Sequence, residues 1–265
     1  MAITALYSAS TGLSALGTEL DVIANNLANV NTAGFKSSRV NFQDLLYQEK
    51  SIPGVENANG DKRPTGTYIG LGVKISGTQV SFAQGSPLPS DSPLDLMIDG
   101  KGFFQVTIED GRIGYTRAGN FTLNQDGEIV LASDQGRRLE PNISIPAEAT
   151  SIDVNADGEV FYNLVDQVEP VSAGRIELAG FANPTGLKQI GENLFVETDA
   201  SGPPLVSEPT QNGLGRLQSH FLEGSNTDPT RELIKLIQTQ RAFEMNSNVI
   251  RAADDTLRAV AQLNR

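Results

Sequence analysis

The stretch from residue 13 to residue 30 reads Leu13-Ser-Ala-Leu-Gly-Thr-Glu-Leu-Asp-Val-Ile-Ala-Asn-Asn-Leu-Ala-Asn-Val30. The leucines, the isoleucine and the final valine are separated by alternating steps of three and four, which is the pattern of a coiled-coil helix. This pattern predicts a helix over residues 3–31, about 42 Å long at about 1.5 Å per residue. Since its apolar seam must be buried, we expect the helix to have helical partners.

A second helix is predicted over residues 229–263, where apolar side chains again repeat at intervals of seven. Asp228 supplies an N-cap oxygen, and Pro229 suits the first helical position. Two arrangements would explain this pattern. One is an intramolecular helical hairpin on a globular core, and the other is assembly between chains. The apolar positions of the two seams are the candidate assembly residues: Leu6, Leu13, Leu16, Leu20, Ile23, Leu27, Val30, Leu236, Phe243, Ile250 and Leu257.

Between residues 65 and 222 the helical periodicity gives way to short apolar or alternating runs, separated by Gly, Pro, Asn and Asp. Hairpins are predicted at residues 121–130 and 152–161, because each stretch places Asp-Gly between two alternating runs. Further strands are predicted at residues 69–76, 94–98, 102–107, 175–181 and 193–197. The predicted fold class is therefore α+β, with long N- and C-terminal helices forming a coiled-coil-like domain and a central all-β domain of short strands.

The same patterns predict the domain organisation. Residues 1–34 and 226–265 are assigned to the terminal helical domain, and residues 69–225 to the central β domain. Residues 35–68 between them are predicted to be an extended arm or linker. Within this arm, residues 48–66 are polar, contain Gly and Pro, and include few apolar residues, so they cannot form a core of their own.

The net charge of −12 is concentrated in the middle of the chain. Residues 1–34 carry −2 and residues 228–265 carry +1, which leaves −11 between them. An acidic surface without a basic patch argues against nucleic acid as a partner. The chain contains no cysteine, so disulfides, thiolate catalysis and sulfur-ligated metals are excluded.

Targeting signals give two further expectations. Membrane insertion is not expected, because no run of apolar residues approaches the length of a spanning helix. The first basic residue is Lys36, and Ser, Thr or Gly interrupts the apolar runs before it. A cleavable secretion signal, which needs a basic start and a compact apolar run, is therefore not expected either.

No catalytic, cofactor-binding or metal-ligating residue is predicted. The single histidine, His220, has no accompanying Gly-x-Ser-x-Gly elbow and is expected to be a surface or packing residue. The stretch Asp153-Val-Asn-Ala-Asp-Gly158 matches the first half of a calcium loop. Leu164 stands where that loop needs a bidentate glutamate, and a hairpin turn explains the same Asp-Gly pair. The Gly-Lys-Gly at residues 100–102 does not complete a nucleotide-binding motif.

Several longer motifs resemble the bacterial flagellar rod and hook family. Ala24-Asn-Asn-Leu-Ala-Asn-Val-Asn-Thr-Ala-Gly-Phe-Lys36 is similar to the N-terminal signature of that family, and Leu222-Glu-Gly-Ser-Asn226 with Gln240-Arg-Ala-Phe-Glu-Met-Asn-Ser247 is similar to its closing helix. Gly100-Lys-Gly-Phe-Phe-Gln-Val106 is a further match inside the β region. The positions assigned through the family motifs are Asn25, Asn26, Asn29, Gly34, Phe35, Gln240, Arg241 and Asn246.

Asp44-Leu-Leu-Tyr-Gln48 and Pro64-Thr-Gly66 are most similar to the distal rod members of this family. The resemblance implies a structural, non-enzymatic subunit without cofactors, which polymerises into a rigid helical tube. The resemblance further implies that this tube transmits torque from motor to hook and encloses the export channel. The resemblance also implies that the terminal helices of many subunits form the inner tube and that the β domains form the outer wall.

The implied partners are copies of the chain itself, proximal rod proteins, the hook protein, the proteins of the peptidoglycan and outer-membrane rings, and the flagellar type III export apparatus. The implied location is the distal rod of the basal body, where it crosses the periplasm, after synthesis in the cytoplasm and export without a cleaved signal. One alternative is another axial subunit of the family, from the proximal rod or the hook. An alternative of a different class is a secreted β-domain enzyme or cell-wall-binding module that carries helical ends.

Overall fold

The structure, a computed structural model, describes residues 2–54, 64–164 and 169–263. The chain divides into two compact units. The first, called here the helical unit, comprises Met1–Ala28, Ser38–Gln79 and Asp228–Arg265. The second, called the sheet unit, comprises Asn29–Ser37 and Val80–Thr227. Two long helices and many short strands confirm the predicted α+β class.

The helical unit contains α1 (Ala2–Ala28) and α2 (Pro229–Leu263). Helix α2 begins as predicted, because a side-chain oxygen of Asp228 accepts hydrogen bonds from the amides of Thr230 (3.0 Å) and Arg231 (3.3 Å). Helix α1 ends three residues earlier than predicted, since the chain turns after Ala28. Val30 therefore lies in a turn and not on the helix.

The two helices contact each other and run antiparallel. Asn26 near the end of α1 reaches Glu232 near the start of α2, and Gly12 faces Asn246 further along. A Cβ atom at Gly12 would lie 2.9 Å from the side-chain nitrogen of Asn246. The small residues Ala9, Gly12 and Ala15 are the buried positions of this half of α1, so the backbone approaches its neighbours closely.

Four strands complete the helical unit: β1 (Ser38–Asp44), β2 (Tyr47–Ser51), β3 (Thr67–Gly70) and β4 (Val73–Val80). Strand β1 pairs with β4 and packs against α1, while β2 and β3 form an antiparallel pair that we call the ribbon. The predicted arm thus includes β1, β2 and the start of β3, and its residues 55–63 lie outside the described residues.

A glycine divides the strand that was predicted as one piece at residues 69–76. Gly72 has φ +113°, and a Cβ atom there would lie 3.2 Å from Cα of Ser8 and would also overlap the hydroxyl of Thr11. The backbone therefore breaks between β3 and β4 where it passes over α1.

The sheet unit contains sixteen strands among its described residues, mostly of three to six residues. In chain order they are β5 (Pro87–Pro89), β6 (Leu96–Asp99), β7 (Phe103–Thr107), β8 (Ile113–Thr116), β9 (Phe121–Leu123), β10 (Ile129–Leu131), β11 (Leu139–Glu140), β12 (Ala149–Val154), β13 (Glu159–Leu164), β14 (Val171–Arg175), β15 (Leu178–Gly180), β16 (Lys188–Gly191), β17 (Leu194–Val196), β18 (Leu205–Ser207), β19 (Arg216–Ser219) and β20 (Phe221–Glu223).

The largest sheet follows the order β16-β17-β8-β7-β15-β18, and β11 adds to β7. Strand β7 separates two cores because successive side chains point to opposite faces. Phe104 and Val106 enter the larger core, whereas Phe103 packs with Tyr115 and Phe195 in an aromatic core on the other side. Smaller sheets, including β12-β13-β14, surround this framework.

The two predicted Asp-Gly hairpins are confirmed. Strands β9 and β10 pair around Gly127, which has φ +77°, and β12 and β13 pair around Gly158, which has φ +88°. The Asp-Gly pair of the calcium-like stretch therefore forms a hairpin turn.

We predict that Gly34→Ala destabilises the sheet unit severely. Gly34 has φ +72°, and a Cβ atom would lie 2.5 Å from the backbone nitrogen of Ala118. The dihedral alone costs about 1–3 kcal/mol, and the overlap with backbone atoms adds to it. Gly136→Ala is the matched control, because Gly136 has φ +54° but open space around it. If urea unfolding shows that both variants lose the same free energy of unfolding, the packing argument is contradicted.

Candidate functional site

The predicted seam of α1 is only partly buried within the helical unit. Ile23 is 3% exposed, whereas the five leucines of the seam are half-buried. Val30, in the turn after α1, is also half-buried. Part of the leucine surface therefore remains accessible after α1 has packed against α2 and β1.

The predicted seam of α2 is more exposed still. Leu236 and Ile250 are half-buried, while Phe243 and Leu257 are 38% and 40% exposed. Sequence reasoning missed a further set of apolar side chains on other faces of this helix. Each of them is about half exposed or more: Leu233, Ile234, Ile237, Met245 and Val249. The sequence did contain a signal for them, because apolar residues occur around most of α2. Such a distribution indicates that the helix makes contacts on several sides.

Asn26 ties the elements of the helical unit together. Its amide group donates to the Ser38 carbonyl (2.8 Å) and accepts from the Ser38 amide (3.0 Å). The same side-chain nitrogen lies 3.5 Å from a carboxylate oxygen of Glu232, which also accepts a hydrogen bond from Lys235 (2.8 Å). Since both Asn26 and Glu232 are buried, these bonds fix the register of α1 against β1 and α2.

The other family positions have separate roles. Asn29 forms the turn after α1, where its backbone and side-chain oxygens accept from Thr32. The Phe35 carbonyl accepts from the Asn226 amide at 3.4 Å. Asn246 faces Gly12, as described above. Asn25, Gln240 and Arg241 are exposed on the two helices.

A fully buried ion cluster lies in the sheet unit. The Lys36 ammonium is 2.5 Å from one oxygen of Glu223, and the Arg117 guanidinium is 3.2 Å from the other. Lys36 also donates to the Ala83 carbonyl (2.8 Å), and Arg117 to the Gly100 carbonyl (2.7 Å). The side chains of Lys36 and Glu223 are 0% exposed and that of Arg117 is 4% exposed. We call this group the junction cluster.

Burial lowers the pKa of Lys36 below its ordinary value, and the Glu223 carboxylate opposes that shift. Burial also lowers the pKa of Arg117, again against the effect of Glu223. One carboxylate therefore compensates two buried cations. Removing it would leave both charges in a medium of low dielectric, which is costly.

The junction cluster holds three chain segments together. The Gly34 amide donates to the Glu223 carbonyl (2.7 Å), and the Gly85 amide donates to the Glu223 carboxylate (2.9 Å). Asn226 accepts from the Ser37 amide (2.7 Å) and donates to the Ser81 carbonyl (2.7 Å). These residues lie in the sheet unit close to three of the points where the chain enters or leaves it, after residue 37, before residue 80 and after residue 227.

Sequence reasoning did not assign Lys36, Arg117 or Glu223 to the site, although Lys36 and Glu223 stand inside the family motifs. The available signal was a charged residue inside an otherwise small or apolar motif, as in Leu222-Glu-Gly224. Their pairing could not be read from the sequence, because Lys36 and Glu223 are 187 positions apart.

The remaining candidates from the sequence are His220 and the side chains that could ligate a metal ion. His220 is exposed in the turn between β19 and β20, where it adopts φ +63° and its carbonyl accepts from the Ser90 amide. Within the described ranges, no group of three or more His, Cys, Asp or Glu side chains is arranged to hold a metal ion. Neither described helix is both long and apolar enough to cross a membrane.

We predict that Glu223→Gln destabilises the protein by about 3–5 kcal/mol, the usual cost of removing one partner from a buried ion pair. The folded state holds the Lys36 proton less tightly than the unfolded chain, so stability rises as pH increases toward the ordinary lysine pKa. In the Glu223→Gln variant, stability depends more steeply on pH. The loss of stability relative to the native protein is therefore smaller at high pH than at neutral pH. Urea unfolding at both pH values measures the effect.

Two further variants test the origin of this loss. Glu192→Gln removes an exposed partner of Arg137 and should change stability by about 1 kcal/mol or less. Adding Lys36→Met to Glu223→Gln should recover part of the loss, because one uncompensated buried cation is gone. A double variant less stable than Glu223→Gln alone would contradict the electrostatic explanation.

Comparison with known proteins connects these features to a family. The model described as "Flagella basal body rod protein" matches residues 6–36, which include most of α1 and end at Lys36. "Flagellar hook protein FlgE/F/G D1 domain" matches residues 97–162 of the sheet unit. "Flagellar basal body rod FlgEFG protein C-terminal" matches residues 218–263, which include Glu223 and α2.

Similarity to individual proteins extends over the whole chain. The flagellar basal-body rod protein FlgG of Caulobacter vibrioides is 45% identical over 98% of both chains, and FlgG of Bacillus subtilis is 39% identical over 99% of this chain and 100% of that protein. The flagellar hook-basal body complex protein FlhP of Bacillus subtilis is 28% identical over 96% of this chain and 97% of that protein. The predicted distal rod subunit is thereby confirmed, and the chain belongs to the FlgG family of flagellar basal-body rod proteins, which are structural and not enzymatic.

Proposed function

We propose that copies of this chain polymerise through α1 and α2 into the helical tube of the rod. The observation that carries the proposal is the exposed apolar surface of α2, where seven large side chains are at least 38% exposed. Large apolar side chains exposed in this number on one helix indicate an interaction site. Helices from neighbouring copies are the partners that match its length and periodicity.

The half-buried leucines of α1 support the same proposal. Packing inside one chain covers only part of each leucine, and a second layer of helices would cover the rest. At about 25 cal/mol per Å² of apolar surface removed from water, this remaining area is a substantial driving force. The predicted seam residues of both helices are therefore proposed as contacts between chains in addition to contacts within one chain.

Two different helices on one molecule provide two different surfaces. Contacts between unlike surfaces do not close into a dimer, and they generate a helical filament when the rotation does not close into a ring. A tube of packed helices would enclose the export channel and transmit torque from motor to hook. The anchored connections of the sheet unit support this mechanical role, because buried hydrogen bonds and ion pairs resist displacement where load enters the unit.

The proposed partners beyond the chain itself are those of the rod's surroundings. They are the proximal rod proteins, the hook protein, the peptidoglycan-ring and outer-membrane-ring proteins, and the type III export apparatus through which the chain leaves the cytoplasm without a cleaved signal. Membership of the FlgG family supports these proposals. The acidic middle of the chain provides the outward-facing charge for contacts with the rings.

The ribbon is proposed to stiffen the tube. Tyr47 and Tyr68 of the ribbon are more than half exposed, and so are Leu46 (82%) and Ile52, which flank β2. A two-stranded ribbon is marginally stable by itself, so these side chains need a surface to pack against. A ribbon laid on neighbouring subunits would block the sliding that bends a tube.

Phe243→Asp should block assembly while the isolated chain stays folded. Phe243 is 38% exposed, so the carboxylate is tolerated in the free chain but would be buried without a partner between helices. Rod length in basal bodies from cells carrying only the variant measures the effect by electron microscopy. Gln238→Asp is the control, since it adds the same charge at an exposed polar position of α2. Full-length rods with Phe243→Asp would contradict the proposed contact.

Deletion of residues 46–66 should give rods that assemble but bend. The deletion removes β2 and the segment leading to β3 while leaving the β1–β4 pair in place. Rod curvature by electron microscopy is the measurement. A Gly-Ser segment of equal length in place of residues 46–66 should bend in the same way, since it keeps the chain length without the side chains. Straight rods of unchanged length would refute the stiffening role.

A further inference from the structure

Two contacts between α1 and α2 define one axial alignment of the helices, called here the observed register. Asn26 meets Glu232, and Gly12 meets Asn246. On each helix the two contact positions are fourteen residues apart, which is two heptads, or about 21 Å at about 1.5 Å per residue. Both contacts therefore belong to the same antiparallel alignment and lie on the same face of each helix.

The α2 positions that meet α1 in this register are polar. Glu232, Thr239 and Asn246 follow one another at intervals of seven, so they lie along one face of α2. Glu232 and Thr239 are 6% and 5% exposed, and Asn246 is half-buried. Leu233 and Ile234 of the same helix are exposed. Since α2 buries polar side chains while it exposes leucine and isoleucine, hydrophobic burial alone does not decide how it packs within the chain.

The apolar positions of α2 do not distinguish this register from its neighbours. They also repeat every seven residues, at Leu236, Phe243, Ile250 and Leu257. Sliding α2 by one heptad, about 10.5 Å along α1, therefore replaces each apolar side chain by another. A buried polar residue in an apolar seam selects one register among such alternatives, at a cost in stability.

Both one-heptad shifts are unfavourable for the polar positions. Sliding α2 toward the beginning of α1 would bring Glu232 level with Glu19, which places like charges together. Sliding it the other way would carry Glu232 past the end of α1 and move Asn246 away from Gly12. Gly12 leaves the room that Asn246 occupies, because a Cβ atom there would lie 2.9 Å from the side-chain nitrogen.

We propose that Glu232, Thr239 and Asn246 are positioning residues that fix the register of α2 on α1, and that Glu19 excludes the nearest alternative. The register follows from contacts within one chain, whereas its consequence for the rod rests on the proposed polymerisation. Since each helix presents an apolar surface to neighbouring copies, the register sets the axial offset between these two surfaces. Copies in different registers could not repeat the same contacts along a tube.

Cysteine pairs report the register, since the native chain has no cysteine. Val22→Cys and Leu236→Cys are level in the observed register, whereas Ala15→Cys and Leu236→Cys become level only after α2 slides by one heptad. Oxidation of the dilute full chain, followed by mass spectrometry, measures the intrachain disulfide yield of each pair. The 22–236 yield is expected to exceed the 15–236 yield several-fold. A 15–236 yield equal to or above the 22–236 yield would overturn the proposal.

Glu19→Lys tests the exclusion without removing a buried contact. The substitution replaces repulsion by attraction to Glu232 in the shifted register, so the 15–236 yield should rise several-fold. Asp21→Lys is the matched control, because it makes the same change of charge at an exposed position of α1. This control should leave both yields unchanged. Equal yields from the two variants would overturn the role of Glu19.

Leucine substitutions separate positioning from a merely structural role. A chain with Glu232→Leu, Thr239→Leu and Asn246→Leu should resist urea at least as well as the native chain, because the seam then buries more apolar surface. Its 22–236 and 15–236 yields should nevertheless become similar. The control chain carries leucine at three exposed positions of α2, Gln238, Glu244 and Asn248, and should keep the native preference. A leucine-seam chain that keeps this preference would show that other contacts set the register.

Rods distinguish failure of this inference from failure of the proposed function. Cells that carry only the leucine-seam chain should form fewer or irregular rods, as counted by electron microscopy of basal bodies. Normal rods from a chain with mixed registers would overturn the consequence for the rod and leave polymerisation standing. Failure of the native chain to form rods would overturn polymerisation and leave the register standing, because the register is measured in single chains.

Discussion

The buried contact between Lys36, Glu223 and Arg117 is the constraint on which the sheet unit depends. Burying two cations is unfavourable unless an anion and hydrogen-bond acceptors replace the water that they lose. Glu223 supplies the anion, and backbone carbonyls supply the remaining acceptors. Since Gly34 and Gly85 also donate to Glu223, the ion cluster and the backbone path of the connections stabilise each other. A substitution at any one of these positions therefore disturbs the others.

The helical unit is organised differently. Its interior uses small residues and the Asn26 amide to set the register of α1, and leaves many of its large apolar side chains partly or largely accessible. In a monomeric enzyme such a distribution would favour aggregation. In a rod subunit the same surface is the proposed means of assembly, so incomplete burial in the single chain and function in the polymer would have one cause.

Sequence periodicity predicted the structural elements that depend on residues close together in the chain. The apolar steps around Leu20 located α1, the seven-residue repeat from Leu236 to Leu257 located α2, and the Asp-Gly pairs located two hairpins with the correct turn residues. The end of α1 was misplaced because apolar spacing continues to Val30, while the turn around Asn29 ends the helix. The predicted strand at residues 69–76 was divided because Gly72 passes close to α1, a contact that local pattern does not contain. The junction cluster depends on side chains far apart in sequence, and no periodic signal connects them.

The placement of Glu223 has a consequence for the timing of folding. Strands β19 and β20, which pair with β6 and β5, and the partner of Lys36 all come from residues 216–223, whereas residues 29–37 of the same unit come from the other end of the chain. A chain that passes through a narrow channel from one end cannot close this unit until nearly its whole length has emerged. Contacts of such long sequence separation form late, because loop closure must precede them. For the export route proposed above, the sheet unit would therefore close only after translocation is nearly complete.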